Sequence, residues 1–314
     1  MKIKDLVLAL LVVVVWGANF TVIKLALDGV PPMLLVTLRY SLVVFPAIFF
    51  IKKPNISLIG LISYGFTVGV AQFGCLFYAM HIGMPAGLAS IILQLQAFIS
   101  PILAFLFLKE KISSKQILGF IIAILGLSII GFASIQNKVA SIPLRAILLT
   151  VCAPIFWSIS NIIARSASDT AREKGQKLDM LSLVVWGGLI PPIPTLGIAL
   201  LMDSPQTLIS AFTNLSMVSI FGVFYLAFGA TLFGYGFWNI LISKYPLSKI
   251  SPLSLLVPIT GLITARIVLL EELSLLQWVG VFIIILGLII TSLDLKTLLY
   301  MLNKHKYKEK NKVS

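Results

Sequence analysis

Ten stretches of about twenty apolar residues alternate with short polar connections along this chain. They run Leu6–Leu25, Met33–Ile51, Leu58–Met80, Pro85–Leu108, Gln116–Ala133, Ala146–Ala164, Met180–Met202, Leu215–Leu241, Ser248–Leu270 and Leu275–Leu293. A helix of ~20 residues rises about 30 Å, the thickness of a hydrocarbon core. In lipid every backbone N–H and C=O must be satisfied inside its own segment, so the runs read as helices. The pattern predicts an all-α integral membrane protein with ten transmembrane helices.

The pattern also repeats. From Pro85 the chain reads as an apolar span, an acidic turn at Leu108-Lys109-Glu110-Lys111, then Gln116, Gly119 and Gly126 in a second span. The same order returns from Pro246, with Leu269-Leu270-Glu271-Glu272, Gln277, Gly280 and Gly287, each 161 positions on (110 to 271, 126 to 287). Earlier, Trp16 and Trp157 lie 141 apart, as do Lys24 and Arg165, and Asn19 and Asn161 are one position out of that register. A fixed offset over this length marks an internal duplication. It divides the chain into two five-helix repeats, 1–140 and 141–295, and a Lys-rich tail, 296–314. Five spans is an odd number, so the second half enters the membrane inverted relative to the first. Inverted repeats place a substrate site between the halves, near the midplane.

Loop cations set the orientation. With the N-terminus inside, Lys2, Lys4, Lys52, Lys53, Lys109, Lys111, Lys115, Arg172, Lys174, Lys177, Lys244, Lys249 and the tail all fall inside. Lys24, Lys138 and Arg145 fall outside, with Arg39 and Arg266 near helix ends. Both termini are therefore expected in the cytoplasm. Composition agrees: 59% of residues are hydrophobic and 11% charged, against about 25% charged in soluble domains. The net charge of +13 reads as membrane orientation rather than nucleic-acid binding, because its cations sit in loops and tail. Lys2 and Lys4 precede the first span as in a signal peptide, but that span is too long and lacks a small-residue cleavage site, so it reads as a retained helix. Cys75 and Cys152 lie inside apolar runs and read as packing residues.

Polar residues inside spans are costly, so they face the bundle interior or a cavity. Those expected to bind substrate are Trp16, Asn19, Gln72, Gln94, Trp157, Asn161, Tyr235, Trp238 and Ser254. Gln94 and Gln96 are about 200° apart on a regular helix, so at most one fully faces a cavity, with Gln94 preferred. The competing reading of each amide is a hydrogen bond between helices. Pro101 and Pro258 lie mid-span, as hinges or as static kinks. Lys24, Arg39 and Arg266 converge on the outer side, where they either attract a substrate carboxylate, reach the headgroups or pair with an acid, Glu271 being one turn from Arg266. Gly119 and Gly126 suit close packing with a neighbouring helix of the same half, or a dimer face.

The acids all lie in loops or at helix ends, from Asp5 and Asp28 to Asp294 and Glu309. With no carboxylate mid-span, the expectation is downhill export, exchange, or coupling through another group. Only His81 and His305 supply imidazole, so no metal cluster or Ser-His pair is expected in the spans. The chain reads as no enzyme, with no metal and no cofactor.

The order Trp16-Gly17-Ala18-Asn19, then Gly83-Met84-Pro85-Ala86-Gly87-Leu88-Ala89, a Glu turn and a Gly-rich fifth helix resembles the drug/metabolite transporter superfamily, EamA branch, in both halves. The stretches that carry the resemblance are Leu8–Lys24, Phe45–Phe50, Gly83–Ser90, Ser182–Pro194, Tyr225–Trp238 and Pro252–Leu262. It covers nearly all of the chain up to about Leu295. It implies a ten-helix fold and export of small metabolites across the bacterial inner membrane, cysteine and O-acetylserine first. Uptake, or export of another amino acid, a purine or a drug-like compound, stays open. The stretch Ala167–Leu178 departs from that group in length and charge. The implied partners are a small-molecule substrate and the lipid bilayer, the assembly a monomer or homodimer, and nucleic acid is not among them.

Overall fold

The computed structural model describes residues 2–108, 114–136, 142–244, 253 and 256–292. Glu110, Pro246, Ser251, Ser254 and the tail lie outside them. Among the described residues every regular element is helical and there is no strand. Among the described residues seven helices are long and apolar enough to cross a membrane, and three shorter apolar helices run through 117–130, 256–268 and 275–290. Large apolar side chains such as Phe50, Ile193, Leu201 and Met217 point outward, the arrangement expected where lipid is the solvent.

The first half opens with α1 (Ile3–Ala26) and α2 (Pro32–Val44). Next comes a rod in three parts: α3 (Leu58–Gly65), a π-helical segment (Phe66–Gln72) and α4 (Phe73–His81). A second composite rod follows: α5 (Ala86–Ile92), a 3₁₀ turn (Leu93–Leu95) and α6 (Gln96–Leu108). The half closes with α7 (Ser114–Gln136).

The second half begins with α8 (Leu144–Glu173), α9 (Met180–Gly187) and α10 (Pro192–Met202). A short helix the apolar pattern does not predict, α11 (Pro205–Thr213), is capped by the Ser204 hydroxyl. Then come α12 (Met217–Phe224), a second π segment (Tyr225–Phe233), α13 (Gly234–Lys244), α14 (Leu256–Val268) and α15 (Leu275–Ser292). The two π segments occupy matching places in the halves: Phe66 plus the 161 offset is Ala227.

One expected loop is largely helix. α8 runs past Ala164 to Glu173, so only Lys174–Asp179 links it to α9. Asp169 pairs with Arg165 and Arg172, both at 3.2 Å, which props the extension one turn at a time. Gly175, at φ +70°, ends it in the left-handed conformation that only glycine adopts freely.

The principal helix contacts join one half to the other. α1 lies on α14, α6 on α8, α2 on α10 and α7 on α15. Gly119 and Gly126, expected to pack within their own half or a dimer, instead meet α15. A Cβ on Gly126 would stand 2.7 Å from the Gly280 carbonyl oxygen, and one on Gly287 2.7 Å from the Gly119 oxygen. Each glycine's partner is the repeat mate of the other (119 to 280, 126 to 287). Rising residue numbers on α7 meet falling ones on α15, so these mates run antiparallel. A second pair of crossings obeys the same rule. Gly17 meets Gly261 where α1 crosses α14. Its mates Ser158 and Ser100 meet where α8 crosses α6, their hydroxyls 3.1 Å apart.

The bundle has two distinct ends. One gathers Lys24, Met80, Ala86, Gly87 and Glu271, with Pro143 beside Gly83. The other gathers the segment after α2 and the start of α9: Trp186 Nε1 donates to the Ile51 carbonyl at 2.9 Å, the Ser182 hydroxyl to the Lys52 carbonyl at 2.9 Å, and Asn55 bonds Gln176.

Candidate functional site

Between the halves lies a cavity of about 350 Å³. Its lining includes Trp16, Asn19, Gln72, Gln94, Trp157, Asn161, Tyr235 and Trp238, contributed by both repeats. Arg39, Tyr64, Gln96 and Ser160 also line it. Pro101 and Pro258 sit inside α6 and α14 and are not among the lining residues. The helix irregularities beside the cavity lie instead at the two π segments and the 3₁₀ turn.

The second π segment builds one wall. A π turn spreads the helix and frees carbonyls from the regular ladder. The Ala230 carbonyl accepts the Trp16 indole N–H at 2.9 Å, and Tyr225 Oη donates to the Val15 carbonyl at 2.8 Å. Trp16 is thus fixed with its N–H consumed, so it serves the cavity as a ring face. Tyr235 and Trp238 stand beside it, with ring centroids 5.5 and 5.3 Å away. Tilted aromatic pairs at such distances are favourable beyond their burial, so the wall is rigid.

Arg39 departs from its expected place. It is seven residues into the bundle from Pro32 and 2% exposed. Nη2 donates to Thr231 Oγ1 at 2.9 Å, and the guanidinium lies 3.9 Å from the centroid of Phe73. Nε and Nη1 have no partner among the described residues. Thr231 is itself in the second π segment and hands its proton to the Leu226 carbonyl at 2.8 Å, leaving its oxygen free to accept from Arg39. Two acceptors in the same cavity are also unmatched: Asn19 Oδ1 and Gln72 Oε1. A buried polar atom without a partner costs about 1–3 kcal/mol, a cost that a bound polar solute would remove at these four.

The α8 side is satisfied differently. Asn161 Nδ2 lies 3.5 Å from both Gln96 Oε1 and Ser100 Oγ. Both Gln94 and Gln96 face the cavity, against the expectation of one. The turn at Leu93–Leu95 interrupts the regular helix between α5 and α6, and with it the 200° geometry on which that expectation rested.

Lys24 and Arg266 do not join Arg39. Lys24 Nζ donates to the Met80 carbonyl at 2.6 Å. Arg266 is exposed and pairs with Glu272 at 2.9 Å, not with the Glu271 carboxylate. That carboxylate accepts the backbone N–H of Ala86 at 2.7 Å and of Gly87 at 3.0 Å, capping the first turn of α5 from the other half. Four N–H groups at a helix start lack partners within the helix, and a carboxylate there also meets the positive end of the helix dipole.

These contacts tie the halves together at one end of the bundle. Toward the other end the lining continues through Ala164, Met180 and Val184. There Arg165, the repeat mate of Lys24, is exposed and bonds Asp169 on its own helix. No acid lines the cavity among the described residues, and no group of His, Cys, Asp and Glu among them could hold a metal ion.

The EamA-like transporter family model matches residues 3–132 and 144–293, once in each half. A curated relative from Escherichia coli (strain K12), called a probable amino-acid metabolite efflux pump, is 41% identical over 296 residues, covering 94% of this chain and 97% of its own. Its namesake from Salmonella typhimurium (strain LT2) is 41% identical over 290 residues, covering 92% and 95%. A solved crystal structure shares the fold at a TM-score of 0.60 with 13% identity, over 95% of this chain and 99% of that one. Apolar helices, duplicated halves and these matches describe one molecule: a multi-pass transporter of the bacterial inner membrane, not an enzyme, belonging to the EamA-like transporter family.

Proposed function

We propose that the protein exports small amino-acid-like metabolites, cysteine and O-acetylserine first, by alternating access between its inverted halves. The observation that carries this reading is the cavity lined by both halves and holding four unmatched polar atoms; in this reading the Lys24 and Glu271 contacts close one end of it. The seven long helices and three shorter ones serve as ten spans, and the cation bias along the loops puts both termini in the cytoplasm. Trp16, Asn19, Gln72, Gln94, Trp157, Asn161, Tyr235 and Trp238 form the substrate site. Ser254 belongs with them as a sequence-based candidate. Pro101 and Pro258 are the hinge candidates. Arg39 takes the role of carboxylate attraction, while Lys24 serves the seal.

In this reading the seal has a counterpart. Lys24 and Asp28 correspond to Arg165 and Asp169 at the 141 offset. At the closed end the cation reaches a carbonyl of another helix; at the open end its mate falls back on the acid one turn along. Alternating access exchanges these roles between the two ends.

The test is counterflow. Proteoliposomes loaded with unlabelled cysteine or O-acetylserine are offered the radiolabelled solute outside, with and without a pH gradient. Accumulation of label is expected, and with no acid among the described lining residues it is expected to ignore the gradient. Accumulation only of some other metabolite would replace the substrate and keep the carrier. Accumulation that requires the gradient would overturn gradient-free exchange.

A further inference from the structure

We infer that the cavity selects zwitterions by reading two charges at once. A carboxylate is held by a free N–H of Arg39, an ammonium group by Asn19 Oδ1 and Gln72 Oε1, and solutes with a second positive charge are disfavoured. The inference rests on the transport reading above and names the substrate chemistry of that same site.

The argument is one of matching inventory. Two donors and two acceptors stand unpaired around one cavity. The donors belong to a permanent cation. Arg39 is almost fully buried, and among the described residues its polar bond is to a neutral hydroxyl. No acid among the described lining residues balances it. Bringing a carboxylate to it supplies the missing charge and a charge-assisted hydrogen bond on a free N–H; Nε and Nη1 lie on different edges of the guanidinium, so each offers its own contact. An empty cavity with a lone buried cation is costly, and a bound anion removes that cost.

The ammonium group needs acceptors, and the two amide oxygens supply them without a formal charge. The Trp16 face, with its N–H consumed by Ala230, adds the negative quadrupole that attracts a cation. Amides and a ring hold one ammonium beside Arg39 only when the carboxylate of the same solute is present. A second cation meets no acid among the described lining residues and adds to the charge of Arg39, so dibasic amino acids and simple amines are disfavoured. The aromatic wall of Trp16, Tyr235 and Trp238 leaves the remaining space to a neutral side chain.

The experiment uses the full chain, purified and reconstituted. Competitors of counterflow are compared in sets that differ by one group: L-cysteine, cysteamine without the carboxylate, and 3-mercaptopropionate without the amine. L-Alanine with ethylamine, and L-lysine, extend the comparison. Thermal stabilisation of the detergent-solubilised protein by the same solutes is read alongside. The neutral amino acids are expected to compete, and the amines and L-lysine to be weaker by at least 10-fold. Arg39→Gln should weaken amino-acid binding by about 10- to 100-fold, the worth of a charge-assisted hydrogen bond. It should strengthen the binding of amines, which the buried cation repels. Arg39→Lys keeps the charge but not the guanidinium, and is expected to retain part of the affinity, which guards against a variant that fails to fold. Equal competition by L-cysteine and cysteamine would overturn the inference while export stands. If no solute exchanges but L-cysteine stabilises the protein and cysteamine does not, the zwitterion site stands and the export reading falls.

Discussion

Gly17→Val should abolish both transport and a normal thermal transition. At Gly17 the helix α1 crosses α14 with no room for a side chain. A Cβ would stand 1.8 Å from Thr260 Oγ1, 2.6 Å from Thr260 Cβ and 2.9 Å from the Gly261 backbone nitrogen. The hydroxyl can rotate away, but Cβ and the backbone cannot, so the helices must separate. Overpacking a tight core costs about 1–3 kcal/mol for small additions, and a branched side chain against backbone lies at or beyond the upper end. Separation also moves Trp16 and Asn19, the neighbours of Gly17 in the cavity wall. Gly17→Ala should show the milder form: a lower transition temperature and reduced counterflow. Thr260→Gly in the same chain should recover part of the loss, because it removes the two nearest atoms. A normal transition temperature for Gly17→Val would mean that this crossing is not held tightly.

Glu271→Gln should slow exchange by about 10-fold or more, since each charge-assisted bond is worth about 1.5–3 kcal/mol and about 1.4 kcal/mol is tenfold. The carboxylate spans the halves by accepting from Ala86 and Gly87 at the sealed end. Glutamine offers one oxygen and turns an amide N–H toward the helix start, so at least one backbone donor goes unmatched. In the proposed alternating-access cycle these bonds form when that end closes and break when it opens. Their loss therefore biases the population toward the form open there, rather than unfolding the chain. A labelling experiment separates the two. In a chain with Cys75 and Cys152 replaced by alanine, Leu93→Cys puts one thiol on the cavity. A membrane-impermeant maleimide added outside should label it faster when Glu271→Gln is present. Unchanged labelling with an unchanged transition temperature would show that Glu271 does not hold the seal.

Much of this site was readable from residue types alone, for a physical reason. Trp16, Asn19, Gln72, Trp157 and Asn161 interrupt apolar spans, and lipid does not tolerate that cheaply. Such residues had to turn inward, and the duplication indicated that inward meant between the halves. Arg39 was not readable in the same way. A cation a few residues from Pro32 looks like one that reaches the headgroups. Its true depth depends on Thr231 and Phe73, which come from helices far along the chain. The partner of Glu271 was missed for the same reason: Arg266 is near in sequence, whereas Ala86 and Gly87 are near only in the fold. The π segments had no signature at all. Phe66–Gln72 and Tyr225–Phe233 are ordinary apolar sequence, and the extra residue per turn is settled by what each packs against. Gly119 and Gly126 announced close contact, but periodicity alone cannot name the helix that approaches.

The seam between α7 and α15 reaches beyond transport. In it residue i of one helix meets the mate of the residue that meets its own mate, as in the isologous contact of a twofold homodimer. The chain is in this sense a dimer whose subunits share one gene. A cut between Gln136 and Leu144 would therefore divide it at the boundary between two partners that already fit, and the fragments 1–136 and 142–314, expressed separately in one membrane, should find each other and rebuild the carrier.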